Sequence, residues 1–376
     1  MNILLLHGSS DLYGASKILL ITVRMLHKRE HRPIVVLSEN GPLVTQLEEA
    51  GAEVYFVRLG ILRRKYKSIK GITNRFFVLC RAFLTLKRII KEKNISLVYS
   101  NTTAVLAGAF AAKSTGVKHV WHVHEIIENP KWLYTILGKL LNHYSDTVIV
   151  VSVAVHKSWS RFVSAQKLSL IYNGIPYNAY LQPGHSLRNE LGIDNQTVVI
   201  GMIGRVHYWK GQAYFLQIAS LLSKQFTNLR FVMTGDAFPG YEYLYDELKT
   251  LIAKENTGDI VTDLGYRTDI PKILQGFDIL VLPSILPDPF PTVILEAMAS
   301  AKPVAATAHG GALEMVDDGI TGVHIPVNQP EAAAEIIGRL IKDPSLRMKM
   351  GEAGRKKVLT NYSLEAFEHK MIKVLE

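Results

Sequence analysis

Short apolar runs of strand length recur along the chain, at residues 3–6, 34–37, 54–57, 97–99, 119–123 and 147–151, with helix-length amphipathic stretches between them. A run apolar on both faces suits a strand covered on both sides, and alternation with helices makes such strands parallel. The pattern predicts a doubly wound α/β unit. A punctuated stretch follows, Tyr172-Asn173-Gly174-Ile175-Pro176 to Gln182-Pro183-Gly184, whose density of turn formers marks a linker. A second series then begins, with apolar runs at 198–203, 230–233, 260–263, 279–282, 303–306 and 322–325 and helical patterns at 213–224, 241–254 and 332–341. Two Rossmann-like halves are expected, residues 1–172 and 173–360. Open sheets of this kind take ligands at the carboxyl ends of their strands, so function is expected in a cleft between the halves. A last helical pattern at 364–375 follows Ser363, a suitable N-cap.

Composition agrees with this division. The chain has 376 residues, 48% apolar and 20% charged, enough for two ordinary domains. Its formal charge is +10, and residues 61–93 alone hold eleven basic side chains against one acid, Glu92. The rest of the chain is therefore neutral. Cys80 is the only cysteine, which excludes an internal disulfide and a thiolate zinc site and suits a reducing compartment. The first residues lack a basic n-region and read as a buried strand, so a cytoplasmic protein is expected. The uncharged stretch 97–112 is too short to span a bilayer and is interrupted by Ser100, Asn101, Thr102 and Thr103.

Several α/β chemistries leave signatures that are missing. There is no GxGxxG after a strand, no GxxxxGK[ST] and no GxSxG. No Asp-x-Asp pair is present to chelate a divalent ion on a diphosphate, so a nucleotide would need protein cations. Arg205 and Lys210 offer them in Gly204-Arg205-Val206-His207-Tyr208-Trp209-Lys210-Gly211, between a strand and a helix start where N–H groups add to the charge. Taken alone these are two solvated cations in a loop. Further on, Asp288 and Glu296 lie eight apart around a turn. Ionised carboxylates only accept hydrogen bonds, so the pair suits a hydroxyl-rich partner, or else one of them caps the helix. The amides of Phe290, Thr292 and Val293 are able to face an anion, whereas Pro289 and Pro291 have none to offer. Gly310-Gly311 after a strand admits close backbone approach or makes an ordinary turn, and Gly14 opens the first helix start. His122 and His124 share a side of one strand. Without a third ligand they are not a zinc site, but an imidazole at a strand's carboxyl end suits a substrate hydroxyl.

In order along the chain, Tyr13-Gly14-Ala15, His124-Glu125, Asn173-Gly174-Ile175, Gly204-Arg205 with Lys210-Gly211, Gly235-Asp236, Leu264-Gly265-Tyr266-Arg267, Leu282-Pro283-Ser284, 288–299, and His309-Gly310-Gly311 with Asp318-Gly319-Ile320-Thr321-Gly322 resemble the family 4 retaining glycosyltransferases of GT-B fold. The resemblance covers nearly the whole chain. It implies a nucleotide-sugar donor, most often a UDP-sugar, held mainly by the second domain, and an acceptor held mainly by the first. It also implies that the last helix, within 361–376, packs back onto the first domain. Residue by residue, Arg205 and Lys210 resemble the diphosphate pair, Glu296 the carboxylate on the ribose, Gly14 the glycine beside the phosphates, and Tyr266-Arg267 the wall behind the base. His124 is the better match to the cleft histidine, with His122 second. Asp288 stands where the family usually has Glu, one methylene longer, which shifts donor preference. The family works without a metal or other cofactor. A degenerate binder of nucleotide sugars or of a partner enzyme, and a GT-B epimerase, are the alternative readings.

The basic segment adds a surface question. No nucleic-acid module surrounds it, and none is expected to bind. Between residues 72 and 90 the apolar Phe76, Leu79, Cys80, Phe83, Leu86 and Ile90 recur at helical spacing and are expected against the sheet, with Arg81, Lys87 and Arg88 solvated. Clustered cations also suit an anionic membrane, and a lipid-linked saccharide acceptor on its inner face fits that reading. Arg63, Arg64, Lys65 and Lys67, with His122, are the expected acceptor or membrane contacts.

Overall fold

The computed structural model describes residues 1–61, 69–184, 186–238 and 240–376. It divides into two compact units, Met1–Ile175 with Leu364–Glu376, and Pro176–Ser363. In the first, seven parallel strands follow the order β3-β2-β1-β4-β5-β6-β7: β1 (Asn2–His7), β2 (Arg32–Leu37), β3 (Glu53–Phe56), β4 (Leu97–Asn101), β5 (Lys118–Val123), β6 (Thr147–Val150) and β7 (Leu168–Leu170). Ile3, Leu4, Leu5 and Leu6 are buried on both faces, as a central parallel strand requires. Helices α1 (Gly14–Lys28), α2 (Leu43–Glu49), α3 (Ile69–Glu92), α4 (Leu106–Thr115), α5 (Lys131–Tyr144) and α6 (Val153–Trp159) connect the strands. The last helix of the chain, α15 (Leu364–Leu375), belongs to this unit and packs on α1, and the ammonium of Lys118, at the start of β5, donates to the Val374 carbonyl at 2.9 Å.

The second unit carries six parallel strands in the order β10-β9-β8-β11-β12-β13: β8 (Val198–Ile203), β9 (Leu229–Thr234), β10 (Val261–Asp263), β11 (Ile279–Leu282), β12 (Val304–Thr307) and β13 (Gly322–Ile325). Its helices are α7 (Ser186–Glu190), α8 (Gln212–Ser223), α9 (Tyr243–Lys254), α10 (Ile270–Gly276), α11 (Thr292–Ala299), α12 (Ala312–Met315), α13 (Pro330–Lys342) and α14 (Pro344–Asn361). Phe215 of α8 meets Phe231 of β9 edge to face at 5.7 Å in the core. Both sheets reverse direction at their first strand, between β1 and β4 and between β8 and β11. Chain leaving the carboxyl ends of those neighbours diverges to opposite faces and leaves a crevice, the usual ligand position in this topology.

Two expectations need correction. Strand β7 was not anticipated, because Leu168-Ser169-Leu170 is too short to show a period. On α3, Leu86, Ile89 and Ile90 are buried with Ala82, but Phe76 is 61% exposed, Phe77 66%, and Cys80 is exposed as well. The helix is anchored by its second half together with Leu79 and Phe83, which pack on the core as expected, while Phe76, Phe77 and Cys80 face outward. Arg63, Arg64, Lys65 and Lys67 lie outside the described residues.

Candidate active site

In the second unit the loops after β8, β11 and β12 are locked together by close backbone approach. Gly211 has φ +84°, and a Cβ there would stand 1.9 Å from the Pro283 carbonyl oxygen. Gly310 has φ +60°, and its Cβ would stand 2.4 Å from the Asp288 carbonyl oxygen. Neither position admits another residue without moving a neighbouring loop. The Gly311 amide donates to that same Asp288 carbonyl at 2.7 Å, and the Ile285 amide donates to the Trp209 carbonyl at 2.8 Å. The paired glycines thus hold the 288–290 segment against its neighbours.

This packing brings Lys210 to Asp288. The ammonium, on a 3-10 turn (Tyr208–Lys210), donates to the Asp288 carboxylate, and both side chains are largely enclosed. The capping alternative for Asp288 is not what the structure shows: the N-cap position of α11 is Pro291 and no side chain caps it. Arg205 lies with its guanidinium carbon 3.2 Å from the centre of the Phe238 ring, a cation–π contact that orients it. The Gln212 amide donates to the Arg205 carbonyl at 2.8 Å. Glu296, buried on α11, helps push the Tyr180 phenol above its ordinary value, behind burial as the larger cause. Thr292 and Val293 begin α11, where amides have no intrahelical carbonyl to bond. The Phe290 ring is buried edge-on to Tyr362 at 5.6 Å, so only its backbone is available to a ligand.

Tyr266 is exposed, while Arg267 is held between two carboxylates, Glu190 at 2.6 and 3.1 Å and Asp269 at 2.8 and 2.7 Å. Those hydrogen bonds fix the turn after β10 and raise the guanidinium pKa above its ordinary value. In the first unit a Cβ added to Gly14 would meet nothing within 4 Å, so the start of α1 is open.

The end of the first sheet holds a cluster the sequence reading reached only in part. Register places His7 beside Asn101, and Asn101 beside His122, on β1, β4 and β5. His124 follows β5 and stacks on His122 with ring centres 4.1 Å apart. Its Nε2 lies 2.9 Å from Asn101 Oδ1, Asn101 Nδ2 lies 3.1 Å from both His7 Nδ1 and the Ala15 carbonyl, and His7 Nε2 lies 3.0 Å from Ser16 Oγ. The Ser16 hydroxyl donates to Asp11 Oδ1 at 2.9 Å. Burial lowers the pKa of His7, His122 and His124, the last also through its two histidine neighbours. Glu125 accepts from the Thr103 and His124 amides, and burial still pushes its carboxyl up to about 7. His122 is wholly enclosed, bonded to the Tyr99 hydroxyl, with Nε2 unpartnered. It therefore has no surface to offer an acceptor or a membrane, which corrects that expectation. His7 and Asn101 were missed; their signal was a polar residue ending each apolar run.

Residues 13–178 match the family described as Glycosyltransferase Family 4, and residues 185–357 match Glycosyl transferases group 1. HepE of Anabaena, solved in complex with UDP-glucose, superposes with a TM-score of 0.87 at 25% identity, covering 100% of this chain and 99% of its own. The UDP-Gal:alpha-D-GlcNAc-diphosphoundecaprenol alpha-1,3-galactosyltransferase of Escherichia coli is 24% identical over 375 residues, 94% of this chain and 91% of that protein. The alpha-maltose-1-phosphate synthase of Mycolicibacterium smegmatis is 29% identical over 296 residues, 71% and 75% of the two chains. Two parallel α/β units of this topology, with the likeness to HepE over the whole chain, place the molecule in the GT-B class of glycosyltransferases. Within that class, the chain belongs to glycosyltransferase family 4.

Proposed function

We propose that the protein is a retaining hexosyltransferase that moves a sugar from a UDP-sugar to a hydroxyl of a lipid-linked saccharide, in the assembly of a cell-surface polysaccharide. The observation that carries this reading is the meeting of Lys210 and Asp288 at the switch point of the second sheet, one cation and one hydroxyl-gripping carboxylate on interlocked loops. The donor is supported by the UDP-glucose complex of HepE, and the acceptor class by the name of the Escherichia coli relative.

In this reading Arg205 and Lys210 hold the diphosphate, assisted by the amides of Phe290, Thr292 and Val293 and by backbone approach at Gly14, Gly310 and Gly311. Glu296 takes the ribose hydroxyls and the Tyr266-Arg267 turn backs the base. Asp288 grips a hydroxyl of the transferred sugar, and His124 meets another. The bond from the anomeric carbon to the diphosphate oxygen breaks with its electron pair going to phosphate, where the two cations stabilise it. The acceptor oxygen bonds to the same face of the carbon and passes its proton to the departing phosphate oxygen. No enzymic nucleophile and no metal are assigned a part.

The protein is proposed to work at the inner face of the membrane. Among the described residues no helix is long and apolar enough to cross a membrane. The outward Phe76, Phe77 and Leu84 of α3, with Arg81, Arg88 and Lys91 on the same helix, suit attachment to an anionic surface. Incubation with a panel of nucleotide sugars and a diphospholipid-linked saccharide tests the activity. A product whose new linkage keeps the donor's anomeric configuration is expected, and an inverted linkage would overturn the retaining assignment.

A further inference from the structure

The hydrogen bonds around Asn101 determine where each proton sits. Asn101 Nδ2 faces the Ala15 carbonyl at 3.1 Å, an atom that only accepts, so the amide is oriented with Oδ1 toward His124. Oδ1 also only accepts, and His124 Nε2 must therefore carry the proton. From the other end, the single Ser16 proton goes to Asp11, so Ser16 Oγ accepts from His7 Nε2–H. A neutral His7 then has a bare Nδ1, which accepts the second Asn101 Nδ2 proton at 3.1 Å; the Asn101 carbonyl is farther from it, at 3.4 Å. Every donor in the series points the same way, from His124 through Asn101, His7 and Ser16 to the Asp11 carboxylate. Chains of this kind polarise one another and set ring orientation. Asp11 also accepts from Ser9 Oγ at 2.6 Å and the Tyr13 amide at 3.1 Å, so the chain ends on the loop that leads into α1.

We infer that Asn101 and His7 are positioning residues, which hold His124 as the neutral Nε2–H tautomer and leave its Nδ1 as a hydrogen-bond acceptor for a substrate hydroxyl. The inference rests on the role given to His124 above. In that state His124 accepts a proton in a hydrogen bond and does not donate one to a leaving group. The same chain ties the ring to the 8–13 loop beside Gly14.

Histidine-labelled full-length protein observed by nitrogen NMR gives the direct test, with His124 and His7 assigned through H124Q and H7Q. A single Nε2–H form of both rings is expected in the unaltered protein. Asn101→Leu should leave His124 in mixed tautomers and lower kcat/KM for transfer about 10- to 100-fold, the size of loss that misplacement of a reacting group brings, with UDP affinity unchanged. Ser16→Ala, a milder change for use if the Asn101 variant does not fold, should switch His7 to the Nδ1–H form, because the Asn101 carbonyl is the remaining acceptor. An Nδ1–H His124 in the unaltered protein, or no tautomer change in either variant, would overturn the inference. Normal turnover of H124Q would instead sink the role of His124, leaving the tautomer result to stand by itself.

Discussion

At the scale of single residues, the decisive contacts join parts of the chain far apart in sequence. Lys210 and Asp288 are 78 residues apart, and nothing local in either segment announces their pairing. The sequence marks both loops as candidates, because each puts a charged residue among turn-forming residues after an apolar run, but it leaves each with an ordinary alternative. Packing removed the alternative for Asp288. The histidine cluster shows the opposite case: Ser100 and Asn101 read as interruptions of an apolar stretch, yet they complete β4 and place Asn101 among three strands. Glycine positions carry a stability prediction. Gly211→Ala forces a Cβ against a backbone oxygen in a left-handed conformation. A cost of about 3 kcal/mol or more is expected, seen as a thermal midpoint lowered by about 6 °C or more.

At the scale of elements, central strands were legible because burial on both faces demands an unbroken apolar run. Among the edge strands, β3, β10 and β13 were legible as well, and only β7, three residues long, carried too few positions to show a period. In helix α3 the expected contacts of Leu79, Phe83, Leu86 and Ile90 hold, but Phe76 and Cys80 face outward, since their spacing is helical whether or not anything lies against it. Two substitutions separate its halves. Leu86→Ala empties a fully buried site and should cost about 2–5 kcal/mol in chemical denaturation. Phe76→Ser should stay within about 0.5 kcal/mol of the parent, yet together with Phe77→Ser it should weaken co-sedimentation with anionic vesicles. Unchanged sedimentation of that double variant would argue against attachment through α3.

At the scale of the whole molecule, the +10 charge separates from the proposed catalysis. The surplus lies in residues 61–93, while the loops of the candidate site mix cations with carboxylates. The interior has its own electrostatic consequence. Burial holds His119 at about 4 and His122 at about 3, below the ordinary 6.5, and lowers His7 and His124 as well. Between pH 6.5 and 4 the unfolded chain binds protons that the folded chain does not. Stability is therefore full above pH 6.5 and is lost as the pH falls, by about 3 kcal/mol for His119 alone. Glu125 works against this, since its raised value favours the fold toward lower pH, but it is one group against four. Denaturant titrations at pH 7.5, 6 and 5 should show midpoints falling with pH. In the proposed reaction Lys210 stabilises charge on a departing diphosphate. Release of nucleoside diphosphate from the proposed donor, measured in a single turnover for the parent and for Lys210→Ala, isolates that role. A rate about 100-fold or more lower is expected in the variant, the scale of losing one preorganised charge partner; equal rates would rule the role out.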